Sequence, residues 1–177
     1  MRRVGALLAA TLLVAGLASA QPLSDWERAQ QQKEWRDAAV KLPPYPKPAD
    51  LIPFEVAAGR GFKFFVDRSS LSVNPDGVVR YALVARSPSG VDNVSYEGMR
   101  CAKGTFKVYA FGGSGGKWLL NAGAKWRLIE RGGAMPWRSE LERDYFCRDG
   151  LVPADAGTAL AALRRGASRS GRFAPGF

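Results

Sequence analysis

Residues 62–86 constrain the fold of this chain more than any other stretch. Val79, Tyr81, Leu83 and Ala85 fall on one side of an extended run, with Arg80 and Arg86 on the other. A period of two is the pattern of a half-buried strand, which places one at 78–86. Upstream, residues 62–73 are rich in Phe and Val, and Asn74-Pro75-Asp76-Gly77 joins the two runs. Pro75 presets φ at the second turn position and Gly77 occupies the fourth, as type I turns prefer. The two runs read as an antiparallel hairpin.

Further strand signals surround it. Residues 54–58 form a short run, and residues 93–101 alternate through Val94 and Tyr96. In residues 105–111, Phe106, Val108 and Ala110 share one face, while Lys107, Tyr109 and Phe111 share the other. Ser87-Pro88-Ser89-Gly90 is a loop, and residues 118–121 and 126–130 suit a closing hairpin. The glycines at 112–116 read as a hairpin tip. A phosphate-binding loop would need Ser or Thr after Lys117, where Trp118 stands.

Helical signals lie at the two ends. Ser24 and Glu27 make a capping box that opens a helix over residues 24–40, with a thin apolar face of Trp26, Trp35 and a few alanines. Residues 42–53 carry five prolines and form an extended connector. Residues 137–147 fit a helix or turn with Leu141, Phe146 and Cys147 inward, and residues 158–165 fit a small alanine-rich helix. After Gly166, a Ser, Gly, Arg and Pro tail is expected to be disordered. The expected fold is α+β: a small antiparallel sheet of five or six strands, flanked by an N-terminal helix and short C-terminal helices. Residues 1–20 are set apart as a signal peptide, 21–53 as helix and connector, 54–153 as the β-rich domain, and 154–177 as helix and basic tail.

The signal reading rests on three parts. Arg2 and Arg3 are followed by an uncharged aliphatic stretch from 4 to 17, then by Ala18-Ser19-Ala20. That is the layout of a secretory signal cleaved after Ala20. A membrane anchor is the alternative, but the stretch is short of the ~20 apolar residues needed to span. No later segment is apolar enough to span, so a soluble periplasmic or secreted protein is expected. Its only cysteines, Cys101 and Cys147, then suggest one disulfide, with two buried thiols as the alternative.

Charge and chemistry narrow the function. The formal net charge is +10, or +8 once Arg2 and Arg3 leave with the signal. Between Gly98 and Ile129 there are six basic residues and no acid. Such a balance favours an anionic envelope component (lipid, lipopolysaccharide or acidic polymer) or an acidic protein, ahead of nucleic acid. Lys107 and Tyr109, with the pairs Lys117-Trp118 and Lys125-Trp126, form a candidate basic-aromatic binding surface. In the alternative, these aromatics form a second core. There is no histidine, which removes the usual general base, metal ligand and neutral-pH switch. No catalytic set, metal site or cofactor motif is expected. Asp67 and Glu97 could serve a hydrolase as a carboxylate pair, or could pair with Arg80 or Arg100 on the same sheet.

The ordered string Phe64-Phe65-Val66-Asp67, Ser70-Leu71-Ser72-Val73, Asp76-Gly77-Val78-Val79-Arg80-Tyr81, Asn93-Val94-Ser95-Tyr96-Glu97-Gly98 and Arg100-Cys101, then Tyr109-Ala110-Phe111-Gly112 and Trp126-Arg127, resembles the cryptic neisserial protein family of exported proteobacterial proteins. The likeness covers about residues 54–147 and continues weakly upstream. It implies a periplasmic domain and supplies no active-site residues. Members of that family look like lipoproteins, whereas here no cysteine follows the cleavage site. The expected function is a non-enzymatic binding or envelope-assembly module. The hydrolase of an envelope polymer is the alternative.

Overall fold

The structure is a computed structural model that describes residues 35–57, 59–132 and 136–170. The chain divides into two compact units, Met1–Trp35 and Arg36–Phe177. Of the first, only Trp35 is described, so the expected signal peptide and most of the expected N-terminal helix lie outside the described residues.

The second unit is a seven-stranded antiparallel sheet. Its strands are β1 (Leu51–Phe54), β2 (Lys63–Val73), β3 (Val78–Arg86), β4 (Asp92–Arg100), β5 (Thr105–Gly113), β6 (Lys117–Leu120) and β7 (Arg127–Leu128). The first six pair in chain order as a meander. The β2–β3 turn closes where the sequence places it: the Gly77 N–H donates to the Asn74 carbonyl at 2.9 Å, and Gly77 holds φ +74°. Residues 118–121 and 126–130 do not close on each other. Both β6 and β7 pair with β5 instead.

Helix α1 (Pro136–Glu140) runs into a π-helical turn, Leu141–Phe146, and helix α2 (Ala156–Ser170) follows. The basic tail expected to be disordered after Gly166 is helical as far as Ser170. These elements cover one sheet face and bury Phe64, Val66, Tyr81, Met99, Leu141, Phe146 and Leu163 with their neighbours. Each large side chain so buried contributes about 1.5–3 kcal/mol. Cys101, just past β4, is bonded to Cys147 after the π-helical turn, so a disulfide pins the helical layer to the sheet.

The opposite face is covered by extended chain. Residues 36–40 are not helical; with residues 41–47 they run as a strap that packs Val40 and Leu42 against Ala82, Tyr96, Tyr109 and Ala110. Two prolines follow at 43 and 44, and a residue before proline avoids the helical region. A short strap with few apolar residues also buries more by lying flat than by coiling. Because both faces are covered, β3 is buried from Val78 through Ala85, and Arg80 is 3% exposed rather than facing solvent.

Candidate functional site

The strap face gathers most of the basic-aromatic residues. Arg80 Nη2 donates to Asp37 Oδ1 and Asp76 Oδ2, each at 2.6 Å. Lys107 Nζ meets Asp37 Oδ2 at 3.0 Å, and the Tyr109 hydroxyl donates to Asp37 at 3.1 Å. Burial and the Asp37 charge push the Tyr109 pKa up, against an opposing pull from Arg80, so the hydroxyl remains a donor. Trp118 donates its indole N–H to the Pro43 carbonyl at 2.8 Å, with its ring centroid 5.1 Å from Tyr45 and 6.0 Å from Tyr96. Trp126 meets Tyr109 edge-on at 6.4 Å. A Cβ at Gly112 would collide with the Tyr45 hydroxyl, so this glycine also admits the strap. Lys107, Tyr109, Trp118 and Trp126 thus pack and pair beneath residues 36–47, while Lys117 and Lys125 are exposed.

The helix face holds a different feature. A β-bulge between Tyr96 and Glu97 sets Tyr109 as the extra residue of β5, so Ala110 turns to the strap face and Phe111 to the helix face opposite Ser95. Strict alternation placed Phe111 with Lys107 and Tyr109; the bulge reverses it. Phe111 joins the wall of a cavity of about 620 Å³. Phe62, Phe64 and Trp137 form the opposing wall as a run of stacked rings, with centroids 6.2 Å and 5.4 Å apart. Leu83 and Ala85 from β3 also line it.

A buried ion pair stands in the same wall. Glu97 is fully buried, and its two oxygens accept from Arg138 Nη2 at 2.7 Å and Arg138 Nε at 2.9 Å. Ser95 Oγ donates to Oε1 at 2.7 Å, and the Tyr81 hydroxyl makes a long contact of 3.4 Å to Oε2. Burial and the Glu97 charge raise the Tyr81 pKa well above its ordinary value, so Tyr81 also stays a donor. The Arg138 guanidinium lies 4.1 Å from the Phe106 ring centre and 5.1 Å from that of Trp137. Glu97 therefore pairs with an arginine, but one from α1 rather than Arg80 or Arg100 of the sheet. Sequence spacing carries no signal for a partner 41 residues away.

Asp67 does not join Glu97. It sits opposite Ala82 on the strap face of β2, while Glu97 faces the helices, and its carboxylate accepts from Ser69 N–H and Oγ. With a sheet between them, the two carboxylates cannot flank one scissile bond. Among the described residues, no group of three or more Cys, Asp or Glu side chains could hold a metal ion, and no helix is long and apolar enough to cross a membrane.

Fold and site together define a disulfide-braced meander domain with a ligand-sized, aromatic-walled cavity under its helical layer. The chain belongs to the CNP1-like family, whose profile matches residues 30–164. It is similar to Cryptic neisserial protein 1 of Neisseria gonorrhoeae (strain ATCC 700825 / FA 1090), with 29% identity over 161 residues that cover 81% of this chain and 76% of that protein. No solved structure matches it. The family match spans the strap, the whole sheet and most of α2, beyond the 54–147 that the motif string reaches.

Proposed function

We propose that this chain is an exported, non-catalytic binding protein of the cell envelope, periplasmic after cleavage at Ala20, whose ligand enters the helix-face cavity. One observation carries the reading: the cavity is about 620 Å³ with ring-stacked walls, inside the roughly 300–1,000 Å³ common for small-molecule sites. A largely apolar space of that size, walled by aromatic rings with a few polar groups, is the usual form of a small-molecule site. The ion pair within the wall supports the non-catalytic part, because both Glu97 oxygens are already engaged by Arg138, Ser95 and Tyr81 and are not free to exchange a proton with a substrate.

The direct test is native mass spectrometry of the protein recovered from the periplasm. The expected result is an added small-molecule mass that is lost on denaturation, together with binding of the neutral fluorophore N-phenyl-1-naphthylamine by the stripped protein. A protein that carries nothing and takes up no fluorophore would refute the reading.

A second contact has its own supporting observation. Lys117 and Lys125 are exposed at the β6–β7 end of the sheet, where Leu119, Leu120 and Leu128 are also 59–76% exposed. Charge beside apolar surface suits an anionic partner such as lipid, lipopolysaccharide, acidic polymer or an acidic protein.

A further inference from the structure

The two edges of the sheet are finished differently. At one edge, β1 carries Pro53, which has no N–H to offer a further strand, and α2 packs along it. At the other, β6 pairs with β5 alone and has no strand on its outer side among the described residues. The Asn121 N–H donates inward to the Tyr109 carbonyl at 2.9 Å. Backbone groups alternate along an antiparallel strand, so those of Leu119 also turn inward, and Trp118 and Leu120 turn their N–H and C=O groups outward. The edge is held in place by Trp118, whose indole is bonded to the Pro43 carbonyl and packed by Tyr45. An open backbone edge on a fixed strand is a template for one more strand.

Two leucines flank the outward groups on opposite faces. Leu119 lies opposite Phe111 on the helix face and Leu120 opposite Ala110 on the strap face, 59% and 76% exposed. A bilayer cannot cover both leucines without also taking the outward N–H and C=O groups out of water, and hydrocarbon offers those groups no partner. An added strand bonds them and brings its own side chains over both leucines. Charge narrows the partner further. Lys117, Lys125 and Arg127 are exposed in β6, β7 and the segment between, and make no salt bridge among the described residues. A second copy of this chain would double those cations at one seam, where like charges oppose pairing. We infer, resting on the anionic contact proposed for this end of the sheet, that the β6 edge takes up an extended acidic segment of another protein as an added strand. That segment places apolar residues over Leu119 and Leu120 and carboxylates at its ends to meet the exposed cations.

The experiment follows single-amide hydrogen exchange and peptide affinity in the mature protein, with the capped probe peptide EDVIVDE. At saturation, exchange at Trp118 and Leu120 should slow by about tenfold, while Leu119, already turned to β5, stays within about twofold. The peptide EDVPVDE keeps the charge and loses the central backbone donor, and KKVIVKK keeps the strand and reverses the charge. Each should bind about tenfold more weakly than EDVIVDE. Leu120→Pro removes an outward N–H that β5 does not use, and should weaken EDVIVDE by about tenfold or more. Should that variant fail to fold, the ranking of the three peptides on the unmutated protein still decides. Equal binding of EDVIVDE and EDVPVDE, with Trp118 and Leu120 unprotected, overturns the inference and leaves a contact made by charge alone. Protection of those two amides that rises with protein concentration and needs no peptide overturns it in favour of a second copy. Binding to phosphatidylglycerol vesicles without binding to EDVIVDE overturns it in favour of lipid. Binding to neither sinks the inference and the anionic contact together.

Discussion

The two faces of the sheet are covered by different means. The helix face carries a broad apolar cluster, a covalent cross-link and one fully buried ion pair. The strap face carries a few apolar contacts, and its cover is held by Asp37, on which Arg80, Lys107 and Tyr109 converge, with the Ala38 N–H donating to Asp76 at 2.9 Å. Burial of apolar area carries no charge for salt to screen or acid to titrate, whereas an anchor made of carboxylates is open to both. The cover of the helix face therefore depends mainly on apolar packing and a covalent link. The strap face is the half that conditions can loosen.

Removing the central carboxylate from each face gives the largest contrast. Glu97→Ala leaves Arg138 without its buried partner and should cost about 3–5 kcal/mol in urea unfolding. Asp37→Ala should cost on the order of 1 kcal/mol, because Asp37 is partly solvated and Arg80 keeps Asp76. Equal losses would erase the distinction between the faces. Next comes the cross-link. Opening the Cys101–Cys147 bridge, which closes a separation of 46 residues, should lower stability by about 3–4 kcal/mol on a chain-entropy treatment. The same loss should follow from Cys101→Ser with Cys147→Ser, and a melting temperature indifferent to reductant would contradict it.

Acid should act on the strap face. Burial alone would raise the Asp76 pKa, but hydrogen bonds from Arg80 and from the Ala38 and Val78 N–H groups outweigh it and hold it below the ordinary 3.8. The folded value lies below the unfolded one. The stabilisation is therefore complete above that ordinary value and is lost as pH falls through the folded value. The stability gap between the protein and its Asp76→Asn variant should be full at neutral pH and shrink once pH drops below about 4. A gap that stays constant down to about pH 2 would exclude the mechanism. The smallest expected stability change is for Lys117→Glu with Lys125→Glu, within about 0.5 kcal/mol for exposed sites. That pair should instead weaken binding to anionic vesicles, most strongly at low salt. Undiminished vesicle binding would remove the β6–β7 end from the functional surfaces.

The strap face shows how far the sequence was legible. Val78, Ala82 and Val84 alternate with the expected core residues of β3, so the strand is apolar on both sides except at Arg80, which is the pattern of a strand covered twice. That signal was present and pointed to a second cover. The prolines put residues 42–47 in extended form, but nothing nearby in sequence said that residues 36–40 would join them as the cover of this face, since the capping box at Ser24 argued locally for a helix through residue 40. Of the six residues chosen for a binding surface, four lie under that strap. The cavity residues Phe62, Trp137 and Arg138 were not singled out for binding, and Phe111 was grouped with Lys107 and Tyr109 instead, because the cavity draws its wall from separate elements.

What the sequence determined by itself is local: the β2–β3 hairpin with its Asn74–Gly77 turn, the strand periods, the glycine-rich tip before β6, and the availability of two cysteines. Each rests on interactions among residues a few positions apart, or on composition, and these carry their information in spacing. Tertiary structure alone decided the pairing of Glu97 with Arg138, the anchoring of Arg80 and Lys107 by Asp37, and the bulge that turns Phe111 into the cavity. Each of these is a choice among distant partners, settled by which arrangement buries apolar surface while giving the buried polar groups partners. No period or motif records that choice.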